Sequence, residues 1–229
     1  MIILTGDTHR HFTRIEEFCR RLKTTKDDIM VILGDAGINF TLDESDTELK
    51  RHLSSLPITL FCIHGNHEER PYKVPGYELA DWRGAKAYVQ PEFPSLVFAK
   101  DGEIYDLNGK KTVVLGGAYS VDKPFRIRYR YPWFRSEQPD SKIKKYAEEQ
   151  LEKTGWKVDC VFSHTVPLPY EPTWAFLSSV DQSKVDKSTE EWLDSIEKRL
   201  TYDKWYAGHY HVSSQEGPIR ILYEDYVEF

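Results

Sequence analysis

Ile63-His64-Gly65-Asn66-His67-Glu68 is the stretch from which the rest of this chain can be read. It ends the apolar run Ile58 to Ile63, which has the length and composition of a short buried strand, so its polar cluster falls where a strand gives way to a loop. Gly65 lets the backbone turn sharply there. Asn66 offers a carbonyl oxygen that can ligate a metal, and His67 an imidazole suited to proton transfer near neutrality. By itself a Gly-Asn-His triplet is also the composition of an ordinary turn.

Two stretches upstream repeat the pattern. Ile29 to Leu33 is an apolar run ending in Gly34-Asp35, and Ile2 to Leu4 ends in Thr5-Gly6-Asp7-Thr8-His9, a carboxylate and an imidazole two residues apart just past a strand. Between the strands, Phe12 to Leu22 carries apolar residues at helical spacing, and Leu42 to Leu56 opens on acidic residues and stops at Pro57. Three β-loop units thus bring Asp, Asp and Asn to strand carboxyl ends, where open α/β sheets place their ligands.

Downstream, Pro71 to Gly84 reads as irregular loop. Ser95 to Ala99, Glu103 to Leu107 and Lys111 to Leu115 are separated by Asp101-Gly102 and Asn108-Gly109, which are hairpin signals: antiparallel strands begin here and predict a second sheet packed on the first. Lys142 to Leu151 and Thr189 to Leu200 read as helices, Val158 to Phe162 as a strand ending in His164, and Ile219 to Phe229 as strands. Trp205 to Ala207 leads into Gly208-His209-Tyr210-His211. The segment 122–138 stands apart as a basic, aromatic insert: Lys123, Arg126, Arg128, Arg130 and Arg135 alternate with Phe125, Tyr129, Tyr131, Trp133 and Phe134. It reads either as a solvated insert or as a lid whose Arg126, Arg128, Arg130 and Tyr129 clamp an anionic substrate.

The 229 residues suit a single α/β domain, and a net charge of -6 argues against a general binder of nucleic acid or anionic membrane. Three widely spaced cysteines predict buried thiols in a reducing compartment. With no basic, apolar leader before Asp7 and no run of membrane-spanning length, a cytoplasmic protein is expected.

The polar groups just past strand ends are Asp7, His9, Asp35, Asn66, His67, His164, His209 and His211, five of the eight histidines among them. Nitrogen and oxygen donors without thiolate suit Mn, Fe, Zn or Ni rather than Ca, and the donor count calls for two divalent ions; residue types do not choose among these metals, and manganese is the expectation. In order and spacing these motifs resemble the signature of the calcineurin-like metallophosphoesterases. The resemblance implies a four-layer α/β/β/α sandwich of two mixed sheets, with Asp7, His9 and His211 on one metal, Asn66, His164 and His209 on the other, and Asp35 bridging. It further implies attack by a metal-bridging hydroxide on a phosphomonoester or phosphodiester. His67 would act as catalytic acid or transition-state stabiliser, with Glu68 tuning it. A small-molecule or nucleotide-like substrate is favoured. The stretch Gly34 to Asn39 lacks the acidic residue and Arg that phosphoprotein phosphatases carry there, and His64 stands where they have Arg. Phosphoprotein phosphatase, nuclease and non-catalytic scaffold remain the alternatives.

Overall fold

The computed structural model describes all 229 residues. The first half runs β1 (Ile2–Thr5), α1 (Thr13–Leu22), β2 (Ile29–Ile32), α2 (Glu44–Ser55), β3 (Thr59–Cys62), β4 (Glu78–Trp82), β5 (Ala85–Val89), β6 (Leu96–Ala99). The second runs β7 (Ile104–Leu107), β8 (Lys110–Leu115), α3 (Lys123–Tyr129), α4 (Ser141–Lys153), β9 (Cys160–Ser163), α5 (Ser188–Glu197), β10 (Lys204–Ala207), β11 (Ser214–Glu216), β12 (Ile219–Ile221) and β13 (Val227–Glu228).

Local chemistry accounts for the element ends. The Asp43 carboxylate accepts from the Ser45 N–H at 2.9 Å to open α2, and the Asp140 carboxylate accepts from Lys142 and Ile143 to open α4. Residues of β1 and β2 are buried on both faces, hence their unbroken apolar runs.

One sheet has the order β13-β1-β2-β3-β6-β5-β4 and the other β11-β12-β10-β9-β8-β7. Within the first, β1, β2, β3 and β6 are parallel; within the second, β8, β9, β10 and β12 are parallel. Leu4, Val31 and Phe61 of one sheet meet Val114 and Phe162 of the other in the central core. Ile15 and Phe18 of α1 and Leu53 of α2 cover the outer face of the first sheet. Ala147 and Leu151 of α4 and Trp192, Leu193 and Ile196 of α5 cover the second. The result is the four-layer α/β/β/α sandwich. Each wholly buried Leu, Ile or Phe in these cores contributes about 1.5–3 kcal/mol relative to exposure. No helix is long and apolar enough to cross a membrane.

Two expectations need correction. Pro71 to Gly84 is not all loop, because it contains a short 3-10 turn at Pro71–Lys73 and β4. β4 is an edge strand whose residues, Leu79 included, are mostly outside the core, so it lacks the alternation that marks a half-buried strand. Asn108-Gly109 does close the β7–β8 hairpin, but Asp101-Gly102 carries the chain from one sheet to the other. There Asp101 acts as a tie, accepting from the Gly116 N–H at 2.7 Å and pairing with Arg70. The second sheet is mixed, as expected: the antiparallel β7–β8 hairpin joins parallel strands that α4 and α5 connect as further crossovers.

Candidate metal centre

β1, β2, β3, β9 and β10 all end at the same edge of the sandwich, and Gly6-Asp7, Gly34-Asp35, Gly65-Asn66, His164 and Gly208-His209 follow them directly. The loops approach so closely that a Cβ on Gly65 would lie 2.0 Å from Asp35 Oδ1, and one on Gly34 would lie 1.9 Å from the His164 ring. Only glycine fits either position. His9, Asp35, His209 and His211 are all held at positive φ, a backbone conformation that costs free energy and persists where the surroundings impose it.

Each aspartate spends one oxygen on a neighbouring loop. Asp35 Oδ1 accepts from the His67 N–H at 2.7 Å, and Asp7 Oδ1 from the His209 N–H at 2.9 Å. The remaining oxygens face imidazoles. His211 Nε2 stands 3.3 Å and His9 Nε2 3.5 Å from the buried Asp7 Oδ2, which has no hydrogen-bond donor, and the two ring nitrogens are 2.8 Å apart. His9 Nε2 also lies 3.8 Å from Asp35 Oδ2, while deeper in His164 Nε2 lies 3.6 Å from Asp35 Oδ1, the oxygen that accepts from His67. Donor atoms of Asp7, His9 and His211 fall within 4.8 Å of one another, as do those of Asp7, Asp35 and His164 and of His9, Asp35 and His67.

This donor set fits divalent metal ions. His164 Nδ1 donates to the Leu33 carbonyl at 2.8 Å, which leaves Nε2 with a lone pair. The Asn66 amide is turned by donation to Ser120 Oγ at 3.0 Å, so that Oδ1 sits 2.7 Å from that lone pair. Two acceptors aimed at one point make sense as ligands of a cation. Electrostatics agree. Burial opposes ionisation of Asp7, yet His211 and His9 hold its carboxyl well below the ordinary range. Burial also opposes ionisation of Asp35, and His164 and His67 overcome it. His209 is pushed down to about 3 by burial and then by His164, so its imidazole is neutral and able to ligate.

His67 has its own partners. Arg126, buried on α3, brings Nη2 against Nδ1 of the ring and within 3.0 Å of Nε2, while Arg126 Nε donates to Asp122 Oδ2 at 2.8 Å. Asp122 Oδ1 is 3.7 Å from His67 Nε2. Burial lowers the His67 pKa, Asp35 opposes and Arg126 reinforces. Glu68 does not share in this arrangement. Its carboxylate accepts from the Gly37 N–H at 3.1 Å and the Gly65 N–H at 3.2 Å, tying together the loops that carry Asp35 and Asn66. Burial, then Asp35, pushes it up to about 8, and no hydrogen bond joins it to the His67 ring.

A cavity of about 420 Å³ opens beside Asp35, Asn66, His67, His209 and His211. Its far wall is Phe176, Leu177, Val180 and Val185, with Tyr119, Val121 and Tyr210 completing an apolar lining. Three further acids join that lining, Asp122, Glu171 and Glu190, the last pushed up to about 7 chiefly by burial. Of the four residues expected to clamp substrate, only Arg126 reaches the site. Arg128, Arg130 and Tyr129 are exposed and do not line the cavity, because α3 turns its other side toward His67. The loop holding Phe176 gave no sign of its role in sequence, since Pro, Trp and Phe in a loop carry no periodicity.

A model of the calcineurin-like phosphoesterase family matches residues 1–213. Among solved structures, TT1561 of Thermus thermophilus is similar in fold, with a TM-score of 0.52 and 12% identity over 97% of this chain and 87% of that one. The calcineurin-like phosphoesterase YfkN from Bacillus subtilis aligns over 96% of this chain and 80% of its own at 12% identity and a TM-score of 0.40. No curated protein matches. The family match spans every strand-end loop that carries a candidate ligand, and on it this chain belongs to the calcineurin-like phosphoesterases, metal-dependent hydrolases of phosphoester bonds.

Proposed function

We propose that the chain is a binuclear phosphoesterase acting on a substrate with one reacting phosphate and an uncharged, largely apolar or aromatic remainder, nucleosides included. The observation that carries the binuclear reading is the pair of buried carboxylates, Asp7 and Asp35, met by the ring nitrogens of His9, His164 and His211, with Asn66 Oδ1 facing His164. Asp7, His9 and His211 would hold one ion, Asn66, His164 and His209 the other, and Asp35 both, with manganese favoured. Such ions, when bound, activate water for attack and grip phosphate oxygens. The protein's own share falls to His67 and Arg126. A neutral imidazole backed by a guanidinium is better suited to stabilising charge on the phosphate and leaving oxygen than to giving up a proton.

The substrate reading rests on the cavity, which no Lys or Arg lines. Two ammonium groups lie over lining rings from outside, Lys123 over Tyr119 and Lys187 over Phe176, and Lys187 pairs with Glu171 at 2.6 Å. A second phosphate would find no counter-charge there, whereas an aromatic ring would find Phe176 and Tyr210. Three buried free thiols suit a reducing compartment such as the cytoplasm. Purified protein loaded with Mn should contain two ions per chain and hydrolyse p-nitrophenyl phosphate or its bis ester, with inositol polyphosphates poor substrates. One ion per chain, or no turnover on either aryl ester or on nucleotides, overturns the reading.

A further inference from the structure

A second cavity of about 400 Å³ lies behind the Gly65-Asn66-His67 turn and shares no lining residue with the one beside the metal centre. Two of its residues flank the turn in sequence, His64 before it and Arg70 after it. Both are more than nine-tenths buried, and both carry polar atoms without partners. Neither ring nitrogen of His64 is hydrogen-bonded. Arg70 donates from Nε to the Ser136 carbonyl at 2.9 Å and pairs through Nη1 with Asp101, yet its Nη2 is unmatched. A buried polar atom left unpaired costs stability, so three of them on two residues that line one cavity mark a place that a polar ligand completes.

The surrounding charge says which kind. Arg70, Lys73, Lys100 and Lys142 line the cavity against two carboxylates, Asp101 and Asp140, on a chain whose net charge is -6. Lys100 is 2.7 Å from Glu103 and Lys73 is 3.7 Å from Glu69, and each ammonium keeps further N–H donors after its pair. The walls between these cations are the rings of Tyr72, Tyr88 and Tyr146. We propose that this cavity is a second ligand site, binding a small phosphate- or phosphonate-bearing anion with a planar apolar body. The anion takes donors from Arg70 Nη2, His64 and the lysines at the rim, and the body lies against the tyrosines. The site's position gives it a route to the catalytic edge. The His64 carbonyl accepts from the Gly117 N–H at 2.8 Å, and Arg70 holds the Ser136 carbonyl, so the two residues grip both ends of the segment that carries Asp122 and Arg126. The proposal does not depend on the metal assignment.

Phenylphosphonate, which the enzyme cannot hydrolyse, is the probe. Protein labelled with ¹⁵N-histidine and loaded with diamagnetic Zn is titrated with it, the His64 ring signals being identified by their loss in His64→Gln. The His64 signals should shift saturably. In the double variant Lys73→Glu/Lys142→Glu, which changes only exposed rim residues, their midpoint should rise by about tenfold or more while the His67 response is unchanged. A His64 signal that does not move, or one that follows the His67 curve in both proteins, overturns the proposal. A midpoint unchanged by the double variant overturns it as well. A failed binuclear reading shows separately, as a His67 response that is absent while that of His64 persists.

Discussion

The strand-end edge and the two long connections that overhang it, residues 117–140 and 164–187, are built on opposite principles. At the edge, five strands end together and short glycine-bearing loops interlock, so that Asp7, Asp35, Asn66 and His164 are each held by a hydrogen bond to another loop or to a buried neighbour. In the connections, apolar side chains face outward: Phe125, Ile127 and Tyr131 on one, Trp174 and Leu177 on the other are exposed. The first arrangement suits chemistry, which needs fixed geometry. The second suits recognition, where apolar surface waits for a substrate's non-reacting part.

That division can be broken most directly at Asp35. Asp35→Asn should lower kcat/KM by about 10³-fold, the upper range for removing one preorganised charged group, and metal analysis should find both ions loosened together. Normal turnover with two ions retained would place the bridge elsewhere. His67→Ala should cost about 10²-fold in kcat with metal content intact. Because a His67 nitrogen lies within ligand reach of His9 and Asp35, loss of an ion in that variant would move His67 into the ligand set.

A buried carboxyl on α5 that lines the recognition cavity, Glu190, tests whether that wall is built for stability. Glu190 is raised from 4.5 to about 7, so the folded state holds its proton more tightly than the unfolded state does. Its favourable contribution is complete below about pH 4.5 and is lost as pH rises through about 7, to an extent of roughly 3 kcal/mol. Denaturant titrations should therefore show wild type losing stability relative to Glu190→Gln across that window, and parallel curves would mean that the carboxyl titrates normally. Phe176→Ala should raise KM for aryl or nucleoside esters by about tenfold and leave two ions per chain. Smallest of all should be Arg128→Ala and Arg130→Ala, which are exposed and outside the cavity: unchanged KM separates them from Phe176, whereas a raised KM for one substrate class would restore the lid.

The edge was legible in the sequence because its constraints are local. A parallel strand covered on both faces must be an unbroken apolar run, and a loop that approaches another at van der Waals contact must be glycine, so Ile29 to Asp35 and Ile58 to Asn66 announce themselves. Hence the first three strands, the helices between them and the eight residues at strand ends could be read in one dimension, while the four layers came with the family resemblance. What only tertiary structure decided is which surfaces meet across long sequence distance. Asp101-Gly102 has the composition of a hairpin, but Arg70 and Gly116 hold Asp101 where the chain changes sheets. Glu68 sits beside His67 in sequence, yet its carboxylate turns inward to the N–H groups of Gly37 and Gly65. The cations of residues 123–135 look equivalent until α3 forms and only Arg126 faces His67, while Phe176 joins the site from about fifty residues further on. Periodicity and spacing record the demands that a chain segment places on itself; contacts between distant segments leave no such trace, because any surface of suitable shape and charge can satisfy them.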